Sequence, residues 1–292
     1  MVEITDCPLC GSRSFSHLLE GKERLLPGRE SFSVVRCRCC GLCLTSPRPD
    51  LPELMRYYPA SYEPWQRNDH WIYSIYYRLT RRLPLQEGAR VLDIGCGSGP
   101  FLSHLAKRGM EAYGCDPGAS VTSPRIRFSK GTLEEAGYPS DFFDLAVAWH
   151  LLEHVWDPSR TLKEVFRILK KDGRFLLSVP NVRGLELRLM GRASLLLDVP
   201  RHLTHFSPQT LEAFVTQAGF AIEKRRSDLF MPGPWIRSFF YLLEDRFGFQ
   251  CPDRTIERLA VIGLPISICL NLFSSLIGGG NLLVWTLRKK AA

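Results

Sequence analysis

Three places along the 292 residues carry side chains or turns that could do chemistry, and the first is a turn built from glycine. The apolar run Val91-Leu92-Asp93-Ile94 ends in Gly95-Cys96-Gly97-Ser98-Gly99, and Pro100-Phe101-Leu102 then opens an amphipathic stretch. This order predicts a buried strand, a tight turn and a helix start. Glycine lets a ligand approach the backbone closely, and the helix start aims unpaired N–H groups at it. A second strand, Ala112-Tyr113-Gly114-Cys115, ends in Asp116, 23 residues after Asp93. An acid at that spacing can accept hydrogen bonds from a ribose. The dinucleotide fingerprint has its third glycine one place later than Gly99, so this turn favours a different ligand. Taken alone, a glycine turn can also be a strand–helix connection that binds nothing.

The second place is the cysteine pairs Cys7-Pro-Leu-Cys10 and Cys37-Arg-Cys-Cys40, each followed by glycine. Each C-x2-C pair makes a tight knuckle that can fill two corners of a tetrahedron, and two knuckles close a structural Zn site. Four thiolates leave no open position, so such a zinc would fold the segment rather than catalyse. Cys39 and Cys43 complicate the assignment, because Cys40-x2-Cys43 has the same spacing. Cys37 with Cys40 is preferred because the two knuckles then match; unmetallated thiols in a small ribbon are the alternative.

Histidines make the third. His150-Leu-Leu-Glu153-His154 spells H-x-x-E-H, which also occurs in inverted zincins. It follows a third apolar strand, Phe142 to Ala148, and so falls at the carboxyl edge of a sheet, where open α/β folds bind ligands. His150 is best placed to touch cofactor or acceptor; Glu153 and His154 lie one helical turn on. A second pair, His202 and His205, precedes Ser207-Pro208, which reads as the cap and first residue of a helix reaching Ala218. With an ordinary pKa of about 6.5, histidine can act as a base near neutral pH. His150, His154 and His202 are the candidate catalytic residues, against the alternative that they only hydrogen-bond within their loops.

What must position these groups is an alternation of strands and helices. After the third strand a helix runs to about Lys170 with Leu162, Val165, Phe166 and Leu169 on one face, and Arg174 to Asn181 is the next strand. Such alternation implies βαβ units and a parallel sheet.

The segment VLDIGCGSG resembles motif I of class I S-adenosylmethionine (SAM)-dependent methyltransferases, and Asp116 matches that family's ribose-binding acid. The string from Phe142 to Asn181 resembles the second half of the same domain, and PRHLTHFS its loop over the substrate pocket. The cysteine knuckles and the following CGLCLTSPRPDLPELMRYYPASYEP are similar to the zinc ribbon and linker of a bacterial group. That group includes sugar C-methyltransferases and enzymes related to ubiquinone-biosynthesis methyltransferases. The resemblance implies an α/β fold, a Rossmann-like seven-stranded methyltransferase sheet with a small N-terminal zinc ribbon. It divides the chain into a ribbon at 1–45, an aromatic linker or cover at 46–85 and a methyltransferase domain at 86–292. SAM is then expected on Asp93, Gly95, Cys96, Gly97, Gly99, Asp116, Pro117, Gly131, Thr132 and Leu133, with His150 closing over it. A structural zinc ion is expected on Cys7, Cys10, Cys37 and Cys40. The acceptor is expected to be a small molecule such as a sugar, quinone or lipid-linked intermediate.

Composition sets the remaining bounds. Hydrophobic content of 45% and charged content of 23% are ordinary for a globular protein. Glu3, Asp6 and two cysteines interrupt the first ten residues, so no signal peptide is read and a cytoplasmic location is expected. Ten cysteines in that context suggest metal ligands and buried thiols rather than disulfides. The net charge of +8 lies wholly in the flanks, +3 in residues 1–90 and +5 in 181–292. Basic flanks and a zinc module make a nucleic-acid methyltransferase one rival reading, though aromatic and basic residues do not interleave as an RNA surface requires. A retired methyltransferase that only binds SAM is the other.

Leu259 to Leu287 holds no charged residue. Glycines at 278–280 split it into a helix expected at about 254–277 and a last, antiparallel strand at Leu282–Leu287. Residues 230–280 read as a hydrophobic insertion before that strand. With Trp235 and Phe239 to Leu243, it reads as a buried or lid helix over the domain or, alternatively, as an in-plane helix in peripheral membrane contact through 235–280, and its apolar surface suggests a hydrophobic acceptor.

Overall fold

The structure is a computed structural model that describes residues 1–26, 30–58, 85–227, 233–249 and 251–290. Of the aromatic cover, Tyr57 and Tyr58 fall within these segments; Tyr62, Trp65, Trp71, Tyr73, Tyr76 and Tyr77 lie outside them.

The amino-terminal unit is an antiparallel sheet of β1 (Phe15–Lys22), β2 (Ser31–Cys37) and β3 (Cys43–Thr45). Phe32 and Val34 alternate with more exposed neighbours on β2, the period of a strand covered on one face. Helix α1 (Leu51–Leu54) follows, closed by a capping box between Asp50 and Glu53.

The large sheet is parallel for most of its width. Strands β4 (Arg90–Ile94), β5 (Glu111–Asp116), β6 (Ile126–Lys130), β7 (Phe143–Trp149) and β8 (Leu169–Pro180) run together, with Leu92 beside both Tyr113 and Ala146. Val91, Leu92, Leu145, Ala146, Val147, Phe175 and Leu177 are buried in unbroken apolar runs, because helices cover both faces of a parallel sheet. Helix α2 (Pro100–Ala106) leads from β4 towards β5, and α3 (Pro158–Ile168) from β7 into β8. Asp157 caps α3 by accepting from the Arg160 N–H, and Leu162, Val165 and Ile168 are its buried face. Helix α3 ends two residues before the expected Lys170, and β8 starts at Leu169, five residues before the expected Arg174. Lys171, Asp172 and Gly173, which fall between the expected helix and strand, belong to that strand.

After α4 (Leu185–Met190) comes a two-residue strand, β9 (Thr204–His205), then α5 (Pro208–Gln217) and β10 (Phe220–Arg226). Ser207 and Thr210 form the capping box of α5. Strand β11 (Leu282–Lys289) returns antiparallel between β8 and β10, giving the order β10-β11-β8-β7-β4-β5-β6. Between β10 and β11 the chain forms α6 (Gly233–Phe247), α7 (Asp253–Ile262) and α8 (Leu264–Leu276). The single helix expected at 254–277 is thus two, broken at Gly263, where Pro265 suits only a first helical turn. Among the described residues no helix is long and apolar enough to cross a membrane.

Strand β9 belongs to neither expected domain alone. Cys43 and Leu44 pair with His205 and Thr204, so a strand that lies between β8 and β10 in the chain becomes the fourth of the amino-terminal sheet.

Candidate functional site

The parallel strands bring the glycine turn, Asp116 and His150 to one edge, because each follows or ends a strand of common direction. Gly95, Gly97 and Gly99 all have positive φ, which a side chain would strain. The turn closes on the Cys115 carbonyl, which accepts from Gly95 N–H at 2.8 Å. Asp116 is buried; its Oδ2 accepts from Gly97 N–H at 3.0 Å, and its Oδ1 from Gly118 and Ala119 at 2.8 and 2.9 Å. The acid therefore stiffens the turn as well as facing it. Burial, then the charge of Asp116, push the Asp93 carboxyl well above its ordinary range. The Ser98 hydroxyl is buried in the turn without a hydrogen-bond partner among the described residues.

The remaining expected cofactor residues divide. Pro117 and Thr132 are exposed, and Gly131 N–H donates to the Asp116 carbonyl at 3.2 Å. Leu133 is buried in the main core, and the Cys96 side chain packs with Leu102, Ala112 and Ile126. Cys96 and Leu133 thus offer mainly backbone to a ligand.

The four expected cysteines converge, with their Sγ atoms within 4.8 Å of one another. Cys7 and Cys40 are 3.5 Å apart and Cys10 and Cys37 3.6 Å, far beyond an S–S bond of about 2.05 Å. Zn–S bonds of about 2.3 Å set thiolates roughly 3.8 Å apart at tetrahedral corners, so the donor set fits zinc. The knuckles match: Gly11 N–H donates to the Cys7 carbonyl and Gly41 N–H to that of Cys37. Burial pushes the Cys7 thiol up to about 11. Cys37 is brought down to about 6, since N–H groups of Cys40 and Cys39 outweigh its burial. Cys43 is not a member; buried below the knuckle, it donates to the Gly41 carbonyl, and Cys39 is exposed.

The histidines surround one carboxylate. Glu153 is buried, and neither of its oxygens has a well-formed hydrogen bond among the described residues. His150 Nδ1 lies 3.3 Å from Oε1, and His202 Nε2 3.9 Å from the same atom. Burial opposes ionisation of Glu153, but the His150 ring, with His154 and His202 beyond it, holds the carboxyl below its ordinary range. His150 has a φ of 49°, an uncommon conformation for a non-glycine residue, and its Nε2 is buried without a hydrogen-bond partner among the described residues. His202 Nδ1 is 3.0 Å from the Leu196 carbonyl, which can only accept, so that nitrogen carries the proton. His154 Nδ1 is 3.1 Å from the Arg201 carbonyl and 2.9 Å from the Tyr58 hydroxyl; burial drives its pKa down to about 4. His154 is therefore neutral and engaged. Ligand atoms of Glu153, His154 and His202 lie within 4.8 Å of one another, so these three could also hold a divalent cation.

Sequence reasoning missed what holds this cluster together. The Glu153 carbonyl accepts from Leu203 and Thr204 N–H at 2.8 and 3.2 Å, tying the second histidine segment to the first. Thr45 of the ribbon donates its hydroxyl to the His202 carbonyl at 2.7 Å, so its oxygen accepts from His205 Nε2–H at 3.0 Å. Arg201 is fully buried and donates to Asp198, to Glu23 of the ribbon at 2.8 Å and to the Tyr57 carbonyl. Arg201 and Thr45 lie within the strings PRHLTHFS and CGLCLTSPRPDLPELMRYYPASYEP, but nothing in those strings gives them this holding role, and Glu23 and Asp198 carry no local pattern at all. The turn and the cluster meet at Leu151, whose Cδ1 would stand 2.9 Å from a Cβ on Gly95.

Known proteins match this arrangement. A family model described as a methyltransferase domain matches residues 68–225, more than half of the chain. The ubiquinone biosynthesis O-methyltransferase of Azorhizobium caulinodans is 30% identical over 174 residues, 53% of this chain and 68% of that protein. The protein of the same name in Aeromonas salmonicida is 28% identical over 46% of this chain and 64% of its own length. Against these relatives the chain thus spans about two thirds of their length. Among solved structures, the [4+2]-cyclase SpnF superposes with a TM-score of 0.53 at 19% identity, covering 82% of this chain and 93% of that one. The cyclopropane synthase MmaA2 of Mycobacterium tuberculosis gives 0.51 at 20% identity, covering 77% and 88%. These structures share the seven-stranded fold. Since the family model also covers the glycine turn, Asp116 and the histidine cluster, the chain belongs to the class I SAM-dependent methyltransferases.

Proposed function

We propose that the protein methylates a hydroxyl group on a small, hydrophobic acceptor, with His150 as general base and Glu153 as the residue that orients it. The His150–Glu153 pair carries this reading. A carboxylate 3.3 Å from Nδ1 favours the tautomer with the proton on that nitrogen, which leaves the buried Nε2, without a partner among the described residues, to accept one.

The cofactor region is suited to SAM: the buried Ser98 hydroxyl has no hydrogen-bond partner among the described residues, and the Asp116 carboxylate ends β5 beside the turn. Asp116 would hold the ribose hydroxyls and Gly95 to Gly99 would let the ligand approach, with Gly131, Thr132 and Leu133 at its other end. Bound SAM supplies a methyl group on a sulfonium, a good leaving group. The acceptor oxygen attacks the methyl carbon as the S–CH3 bond breaks, S-adenosylhomocysteine leaves, and the hydroxyl proton passes to His150 Nε2. Proximity does the larger share of the work, and a positioned base adds roughly 10²- to 10⁴-fold. A hydroxyl acceptor accords with relatives named as ubiquinone biosynthesis O-methyltransferases. Zinc on Cys7, Cys10, Cys37 and Cys40 would be structural, holding the sheet that carries β9.

The test is release of S-adenosylhomocysteine with catechol and phenol acceptors bearing apolar chains. His150→Asn is expected to lose roughly 10²-fold or more of turnover, well beyond any change in SAM affinity by calorimetry. Full turnover by that variant would sink the assignment, and SAM binding without turnover on any acceptor would favour the retired scaffold. A divalent cation on Glu153, His154 and His202 is the second reading, favoured by their convergence. Metal analysis separates the two: one zinc per chain supports the base, and a second ion lost in Glu153→Gln supports the cation.

A further inference from the structure

Helix α8 is built inside out. Ser267, Asn271 and Ser274 face inward, with Ser274 fully buried, whereas Ile266, Phe273 and Leu276 are 67%, 55% and 85% exposed. The inward polar groups are used. Asn271 Oδ1 accepts from Trp235 Nε1 at 2.7 Å and from Asn281 Nδ2 at 3.0 Å, and the Ser274 hydroxyl donates to the Gly279 carbonyl. The helix is therefore anchored by polar contacts in a fixed orientation that turns its apolar stripe outward. A surface helix of a water-soluble domain has the opposite polarity. Helix α7 extends the stripe, with Val261 and Ile262 each 74% exposed where it meets α8.

Contiguous exposed apolar surface of this kind marks an interaction site, and the charges around it indicate the partner. Arg258 lies three and four residues before Val261 and Ile262, on the same helical face, and is exposed. At the other end, Leu185 N–H donates to the Gly279 carbonyl, which brings α4 and its exposed Arg188 and Leu189 beside the end of α8. Residues 181–292 carry 14 Lys and Arg against 9 Asp and Glu. Of the acids whose side chains are described, Glu186 is buried, and Asp198, Glu212, Glu223, Glu244 and Asp245 each pair with a cation that they neutralise in turn, so the exposed Arg188 and Arg258 are the charges placed beside the stripe. Apolar side chains bordered by arginines complement an anionic bilayer, with guanidinium groups at the headgroups and the stripe at the acyl boundary. Neither α7, with 10 residues, nor α8, with 13, approaches the roughly 20 needed to span.

We infer that the consecutive helices α7 and α8 dock the protein in plane on a membrane surface bearing anionic lipid. Helices α7 and α8 lie outside residues 68–225, the part of the chain that the family model matches.

Flotation of the full chain with phosphatidylcholine vesicles, with and without phosphatidylglycerol, tests this. The wild type is expected to float with the anionic vesicles and to be released by salt. Phe273→Glu and Leu276→Glu are each expected to weaken binding by roughly tenfold or more with calorimetric SAM affinity unchanged, which certifies the fold. No flotation by the wild type, or equal flotation by the variants, overturns the inference. So does a wild-type dimer in sedimentation velocity that Leu276→Glu splits while neither protein binds vesicles; the stripe is then a contact between copies.

Discussion

The glycine turn at 95–99 and the histidine cluster around Glu153 sit at the same edge of the sheet and touch at Leu151, yet they are built in opposite ways. The turn is local. Its conformation follows from three glycines, and Asp116 is delivered by the neighbouring strand and bonded to the turn's own backbone. The cluster is assembled from Tyr58, the segment 150–154 and the segment 198–205, with Thr45 and Glu23 of the ribbon holding the last of these. A local site survives changes made far from it, whereas an assembled site inherits the stability of every segment that contributes.

The largest effect expected from that contrast comes from the metal. Cys37→Ser should reduce bound zinc from one per chain to none, removing a contribution on the order of 10 kcal/mol to folding of the ribbon. Hydrogen exchange should then quicken at β2, β3 and β9 while SAM affinity barely moves. If SAM binding collapses as well, the two regions are not separable. Next, Glu153→Gln should lower turnover roughly 10²-fold or more without altering SAM affinity, and a parallel loss of affinity would merge the two sites into one. Asp116→Ala should act in the reverse sense, weakening SAM by roughly tenfold or more, the worth of charge-assisted hydrogen bonds. Unchanged calorimetric affinity would remove Asp116 from the ribose site.

The smallest effect is a pH dependence that belongs to the cluster. Burial, then His202, lowers His154 to about 4 and His205 to about 3. The folded protein keeps both neutral while the unfolded chain takes up protons near pH 6.5, so the unfolded state binds more protons below that value. Stability from these residues is complete above about pH 6.5 and falls as pH drops towards 4, at up to about 1.4 kcal/mol per pH unit for each histidine. Thermal melts of the wild type and His205→Gln check this. The variant should show the shallower acid slope, and identical slopes would remove His205 from the buried neutral set.

Legibility followed the same division. The motif strings placed β4, β5, β7 and the carboxyl edge, because burial on both faces of a parallel sheet demands continuous apolar runs that a sequence displays. The C-x2-C-G knuckles named all four converging thiols, because a tetrahedral donor set restricts spacing. The boundary at Leu169 was misjudged because Lys170 to Gly173 has the composition of a turn and is held in β8 by its neighbours. The break at Gly263 was passed over because the apolar character continues through it.

By itself the sequence determined the Rossmann-like sheet, the glycine turn with its acid and the cysteine set, since each depends on residues close in the chain or on a fixed ligand spacing. Only the tertiary structure decided that Glu153 would lie buried among His150, His154 and His202, and that Arg201 would reach across to Glu23. It alone decided that β9 would complete the ribbon sheet and that α8 would turn its apolar stripe outward. These outcomes depend on how distant segments pack and on which polar groups they satisfy, and neither is written in the spacing of any one segment.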